Sequence, residues 1–273
     1  MDALARISRR DALLGAVASS AWACQAGDLA GPAPRRPARA TAAATSSGSP
    51  SGGLDVVRLG PLREQDKGGL LVVLLHGWRA PGDDLVGLGR ELAQPSMRFL
   101  VAAAPLAEPG GGRAWWRLDT PDRPAHAWTD ELPQNYPFNP QVTAARQLVQ
   151  SLLRDAQQRY APDAIALAGF SQGAMLALDV ALAADPPVDR VAVLSGVLLA
   201  DSLPALRLAR TAPRAVFVSH GRQDPVLPFA GGASIEAVLT PYGHHVTFFP
   251  FDGGHQIPAA VVAQLRAFLG PRG

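Results

Sequence analysis

The segment Leu70-Leu71-Val72-Val73-Leu74-Leu75 is an unbroken apolar run, with no polar residue at alternate positions. That pattern belongs to a strand buried on both faces, as in a sheet with helices above and below. Phe99 to Ala103, Ile165 to Ala168, Val191 to Leu194 and Ala215 to Ser219 repeat it, and Val246 to Phe249 completes the set as a last strand. Between these runs lie stretches with helical spacing: Asp84 to Ala93, Gln141 to Tyr160, Gln172 to Ala184, Ala233 to Leu239 and Pro258 to Leu269. Pro258 suits the first turn of a helix, where a missing N–H costs nothing. Strands alternating with helices predict an α/β fold, a mostly parallel sheet covered on both faces. Ligands of such sheets bind beyond the carboxyl ends of the strands, so the residues that directly follow strands carry the chemical interest.

This pattern starts only at Leu54. Residues 25–53 are rich in Ala, Pro, Gly, Ser and Thr and hold too few large apolar side chains for a core, so a disordered linker is expected over 24–53. Ahead of it, Ser8-Arg9-Arg10 precedes an apolar stretch from Ala12 to Ala23. That stretch is shorter than the ~20 residues a membrane span needs and reads as an export signal of the twin-arginine kind over 1–23. Ala23-Cys24 resembles the end of a lipoprotein signal, with Cys24 as the lipidated residue. Ala21-Trp22-Ala23 alternatively fits simple secretion. The expected location is therefore the periplasm or cell envelope, with a membrane contact only through an N-terminal lipid. A single folded domain is expected over 54–273, without a large separate cap.

Charge and cysteine content narrow the function classes. The leader and linker carry six arginines against three aspartates, +3, which leaves −1 for residues 54–273 of a chain that is +2 overall. The folded part is near neutral, so no electrostatic footprint for nucleic acid is present. Cys24 is the sole cysteine, which excludes an intrachain disulfide and a multi-cysteine metal site.

Four strand ends carry polar motifs. The first strand is followed by His76-Gly77-Trp78, the third by Gly169-Phe170-Ser171-Gln172-Gly173, the fifth by His220-Gly221-Arg222-Gln223-Asp224-Pro225-Val226, and the last by Asp252-Gly253-Gly254-His255. Gly-x-Ser-x-Gly between a strand and a helix is a sharp turn with serine at its apex. A serine hydroxyl attacks a carbonyl only when a base removes its proton, and an imidazole titrating near neutrality serves. His255 is the candidate base. Asp224 is the candidate acid to hold its tautomer, with Asp201 as rival, while Asp252 is too near His255 in sequence to assign. The N–H of Gln172 and a second one from the His76-Gly77 loop, from Trp78, are candidate oxyanion donors. His76 and His220 read as structural. His244-His245 would point to opposite faces of a strand, which argues against a metal site. His126 carries no reading.

With these motifs in view, the chain from about Leu70 to Leu269 resembles the phospholipase/carboxylesterase family of α/β hydrolases, which includes acyl-protein thioesterases. The matching segments are Leu74-Leu75-His76-Gly77, Arg113-Ala114-Trp115-Trp116, Gly169 to Gly173, Ser195-Gly196, His220 to Pro228 and Gly253-Gly254-His255-Gln256-Ile257. The resemblance implies Ser171, Asp224 and His255 as a triad, selects Asp224 over Asp201, and implies Trp78 and Gln172 as oxyanion donors. It also implies a serine esterase that needs neither cofactor nor metal. A short-chain carboxylic ester is the expected substrate, with a lysophospholipid or an acyl thioester as alternatives. A non-catalytic envelope binding module is the alternative of another class, and a serine peptidase on the same fold a further one. Trp78-Arg79-Ala80-Pro81-Gly82-Asp83 departs from the family's usual glycine and aspartate after His-Gly. The long segment from Pro105 to Pro140, with Trp115, Trp116 and Trp128, lies where loops line or cover sites. Trp115 and Trp116 are expected to line the substrate pocket; the competing reading packs them onto the domain. Chain-length preference and oligomeric state are not legible.

Overall fold

The computed structural model describes residues 46–60, 67–118, 139–183, 185–199, 202 and 213–271. The export signal, Cys24, most of the linker, His126, Trp128 and Asp201 lie outside these residues. In chain order the elements are β1 (Ser46–Ser51), β2 (Leu54–Leu59), β3 (Leu70–Leu75), α1 (Val86–Leu92), β4 (Met97–Ala102), β5 (Leu106–Ala107), β6 (Arg113–Ala114) and α2 (Pro140–Tyr160). They continue with β7 (Ala164–Phe170), α3 (Gln172–Ala183), β8 (Arg190–Leu194), β9 (Ala215–Gly221), α4 (Phe229–Leu239), β10 (His245–Phe251) and α5 (Ala259–Leu269). Eight strands form one sheet in the order β1-β2-β4-β3-β7-β8-β9-β10, and β5 and β6 form a separate two-stranded ribbon.

From β4 to β10 all neighbours in the large sheet are parallel, while β1–β2 and β2–β4 are antiparallel. The unbroken apolar runs follow from this geometry. Along β3, Leu71, Val73 and Leu75 enter one core with residues of α2, α3 and α4. Leu70, Val72 and Leu74 enter the other, with Leu88 and Leu92 of α1 and Val261, Val262, Leu265 and Leu269 of α5. Both faces of the strand are dry, so no position can be polar.

The predicted strands and helices are all present, with ends shifted by a few residues. Asn139 caps α2, its side chain accepting the Gln141 N–H at 2.9 Å, with Pro140 at the helix start. Pro258 is the cap residue of α5, one position before the first turn. The helix read as Ala233 to Leu239 begins earlier, at Phe229, because Gly231 and Gly232 hide its first turn from a propensity reading. Among the described residues no helix is long and apolar enough to cross a membrane.

The end of the expected linker is different from the expectation. Ser46–Ser51 pair with β2 from Ser46↔Arg58 to Ser51↔Leu54, so the sheet begins eight residues or so before the composition changes at Leu54. An edge strand needs only backbone hydrogen bonds to its neighbour, and backbone bonding leaves no hydrophobic trace in sequence. The turn that follows rests on α2, where the Gly52 N–H donates to an Asp155 carboxylate oxygen at 2.7 Å. A chain beginning at Leu54 therefore loses both the strand and this anchor. Its thermal midpoint should fall by several degrees, on the scale of about 2–4 °C per kcal/mol for a domain of this size. An unchanged midpoint in calorimetry would return residues 46–53 to the linker.

Candidate active site

Ser171 sits between β7 and α3 with φ of 53°, in the left-handed region that a side-chain-bearing residue rarely adopts. Such a conformation costs about 1–3 kcal/mol and persists only where the surroundings enforce it. Here the Ser171 N–H donates to the Leu194 carbonyl at 2.9 Å, and the Ser171 carbonyl accepts from Ala174 and Met175 at 3.0 and 3.1 Å. The flanking glycines are required by crowding. A Cβ on Gly169 would overlap the Gly173 carbonyl, and one on Gly173 would overlap the Leu75 and His76 carbonyls of the neighbouring strand end. The turn thus presses β7, α3 and the end of β3 together, with the serine at the apex.

Gln172 is the first residue of α3. Its amide has no intrahelical acceptor and lies at the positive end of the helix dipole. The Gln172 side chain is buried and does separate work. Its Oε1 accepts the Trp115 N–H at 2.9 Å, and its Nε2 donates to the Trp116 carbonyl at 2.7 Å. The next residue, Arg117, donates its N–H to Gln141 Oε1 at 2.8 Å. Two glutamine side chains thereby pin the segment that follows β6. Sequence reasoning used only the backbone of Gln172. The available signal was its polarity at the head of a buried helix that is otherwise apolar but for Asp179.

The expectation that Trp115 and Trp116 line the pocket is corrected here. Both are 1% exposed and belong to the core on the α2–α3 side. Trp115 Nε1 donates to the His76 carbonyl at 2.9 Å, and its ring lies 5.6 Å from the His76 ring. A buried indole needs a partner for its N–H, and this one finds it in the loop after β3.

His76 is itself buried and fixes that loop. Its Nε2 accepts the Ala104 N–H at 3.0 Å, so the proton is on Nδ1, which donates to the Gly77 carbonyl at 2.7 Å. Burial pushes its pKa below the ordinary 6.5, against the opposing effect of the Gly77 bond. Gly77 lies against Ser171: a Cβ on it would come within 3.3 Å of the Ser171 Cβ. Beyond it, Arg79 N–H donates to the Arg113 carbonyl at 2.8 Å and Ala80 bridges to Arg113. The Trp78 amide is thus carried on a loop held at both ends. The Arg79 guanidinium lies 5.4 Å from the Trp78 ring centroid.

Asp224 and His255 arrive from the ends of β9 and β10. The His255 Nδ1 lies 2.7 Å from Asp224 Oδ2. Asp224 Oδ1 accepts the Val226 and Leu227 amides at 2.8 and 2.9 Å. Pro225 supplies no N–H, so the turn offers the carboxylate these two amides instead. Burial alone would raise the Asp224 pKa. Hydrogen bonds from His220, His255 and the Leu227 amide outweigh it and hold the carboxyl well below the usual carboxylate range. The two loops interlock: Arg222 N–H donates to the Phe251 carbonyl at 2.9 Å and Gln223 N–H to the Gly253 carbonyl at 3.0 Å. The His255 ring packs on Phe170, the residue before Ser171, with centroids 4.8 Å apart. Ser171, His255 and Asp224 all follow strands at the carboxyl edge of the sheet, with His255 held by the Asp224 carboxylate and packed on the residue before Ser171. That arrangement can activate a hydroxyl for attack on a carbonyl.

Asp252, the neighbouring acid, is 88% exposed and pairs with Arg222 at 3.6 Å, outside this chain of contacts. His244 and His245 sit at the opposite ends of the strands, His244 buried with Nδ1 accepting the Arg214 N–H at 3.3 Å. No group of three or more metal-ligating side chains occurs among the described residues.

The eight-stranded, mostly parallel sheet with helices on both faces is that of an α/β hydrolase. The profile of the phospholipase/carboxylesterase family matches residues 63–271, and the chain belongs to that family. Among solved structures, esterase PE8 is similar at 27% identity and a TM-score of 0.67, covering 79% of this chain and 97% of its own. A carboxylesterase from Mesorhizobium loti shares the fold at 20% identity and a TM-score of 0.65, covering 83% of this chain and 99% of its own. The Bacillus cereus carboxylesterase does so at 19% and 0.60, covering 79% and 93%. Among curated proteins there is no significant sequence match.

The buried His76 makes the loop after β3 acid-sensitive. Its folded pKa lies below 6.5, so between those two values the unfolded chain binds more protons and stability rises with pH. The His76 contribution is complete above about pH 6.5 and is lost as pH falls toward the folded value. His244, also lowered by burial, adds to the same slope. Asp224, depressed from 3.8, acts only at lower pH, its contribution present above that value and lost below it. Urea unfolding should therefore show a declining unfolding free energy on acidification from about pH 6.5 to about pH 5.5. A flat profile across that interval would rule the assignment out.

Proposed function

We propose that this hydrolase cleaves carboxylic esters through an acyl-enzyme on Ser171. The single observation that carries the reading is the 2.7 Å contact from His255 Nδ1 to Asp224 Oδ2, on an imidazole packed against Phe170, the residue before the left-handed serine. With Nδ1–H donating to the carboxylate, His255 Nε2 is the basic nitrogen. It takes the Ser171 Oγ proton as the oxygen attacks the substrate carbonyl. The tetrahedral oxyanion is met by the amides of Gln172 and Trp78, which are fixed before the substrate arrives. Collapse breaks the bond to the leaving group, and His255 returns the proton to it. Water then attacks the acyl-enzyme by the same route and releases the acid.

Short-chain carboxylic esters are the proposed substrate class, supported by relatives described as esterases and carboxylesterases. The family's description also covers phospholipases, and the same chemistry would serve a lysophospholipid or an acyl thioester. A panel of esters and thioesters of graded chain length separates these. A fluorophosphonate probe should label the wild-type protein. Ser171→Ala should abolish labelling and lower kcat by at least about 1000-fold. Labelling that persists in the variant would move the nucleophile elsewhere, and a wild type that neither reacts nor turns over would leave a binding module.

We further propose that the enzyme works outside the cytoplasm on a lipid anchor, a reading supported by Ser8-Arg9-Arg10, the apolar stretch after it and a sole cysteine at position 24. Cys24→Ala should shift the protein from the membrane to the soluble fraction. Identical fractionation of variant and wild type would sink the anchor.

A further inference from the structure

Four donors converge on the Asp224 carboxylate, two backbone amides and two imidazoles, and one of the imidazoles has no place in the mechanism above. His220 Nε2 lies 3.3 Å from Asp224 Oδ2 and 3.2 Å from the Leu227 carbonyl. Both neighbours are acceptors, so Nε2 carries the proton and is shared between them. The other nitrogen, Nδ1, is buried with no hydrogen-bond partner. As a lone pair it is tolerated there, whereas an N–H in that position would be an orphaned donor.

The ring cannot swing away from this arrangement. His220 is fully buried, at the end of β9, on the same face as Val216 and Val218. A Cβ on Gly232 of α4 would overlap His220 Nδ1 and crowd its ring carbons, so the helix backbone backs directly onto the imidazole. Phe229 meets the ring edge-on at 6.1 Å between centroids. The imidazole is wedged between a helix and the carboxylate.

We propose that His220 is a positioning residue for the triad: its Nε2–H holds Asp224 Oδ2 in line with His255 Nδ1. The proposal rests on the esterase reading of Ser171, Asp224 and His255. A carboxylate offers about four lone-pair sites. Here Oδ1 is filled by two backbone amides, and Oδ2 by two imidazoles, one buried and fixed, the other partly exposed and catalytic. With Oδ1 alone anchored, the carboxylate could tilt about that edge. The His220 donor removes that freedom. It also stabilises the anion, so that a proton on His255 during turnover is not surrendered to Asp224. The charge balance of the step is unchanged: His220 keeps its proton throughout, and only His255 gains and loses one.

The test compares two side chains of similar length that differ in the donor. His220→Gln places an amide nitrogen near the position of Nε2, and His220→Met places none. With an activated short-chain ester, His220→Gln should stay within about threefold of the wild-type kcat, and His220→Met should fall roughly tenfold or more, both with unchanged KM. Equal losses in the two variants, or a wild-type kcat in His220→Met, would overturn the proposal. The tautomer is read on the wild type by imidazole nitrogen–proton correlation spectra, with no variant needed. A proton on His220 Nε2 supports the proposal, and one on Nδ1 overturns it. Failure of the underlying reading looks different: the wild-type protein would then be inert to both ester and fluorophosphonate, whatever the His220 tautomer.

Discussion

A serine held in the left-handed region, in a turn too crowded for any side chain on either flank, is the constraint around which the other parts are arranged. The Gly169 and Gly173 positions are occupied by backbone carbonyls from within the turn and from the end of β3. This close approach places Gly77 of the loop after β3 against Ser171 and starts α3 at the very next residue. The strain of the turn is offset by the hydrogen bond to Leu194 and by the helix it starts.

Around that turn, buried polar side chains act as fasteners. His76 joins the loop after β3 to the Ala104 amide, Trp115 joins its indole to the His76 carbonyl, and Gln172 joins α3 to the Trp115–Trp116 backbone. Each of these groups is desolvated and fully engaged, so each bond is costly to break. The same logic operates on the other side of the serine, where Asp224 is filled by two amides and two imidazoles. The site is stiff because its supporting hydrogen bonds are buried. The groups proposed for the chemistry, Ser171 and His255, are half-buried, at the margin of that region.

The fold was largely legible from the chain. Short apolar runs such as Leu70–Leu75, set between segments of helical spacing, read as central strands of a doubly covered sheet, and the alternation with helices then fixes the class. The four polar motifs were legible because each directly follows such a run, where a parallel sheet presents its ligand edge. β1 escaped notice because an edge strand is made by backbone bonds that Ser46–Ser51 can form without any apolar pattern. Trp115 and Trp116 were misjudged because a tryptophan after a strand has the same composition whether it faces substrate or core. Only their burial in the folded core distinguishes the two.

Local order along the chain supplied the candidates for nucleophile, base and acid, since turn chemistry and strand ends are short-range properties. The supporting roles were decided by packing between segments far apart in sequence. Gln172 reaches a backbone more than fifty residues away. His220 depends on the next loop doubling back so that Asp224 returns beneath it, and on Gly232 leaving room for its ring. A histidine or glutamine has the same letter in every environment. What it donates to, and whether it is dry, is settled only when the strands and helices close around it.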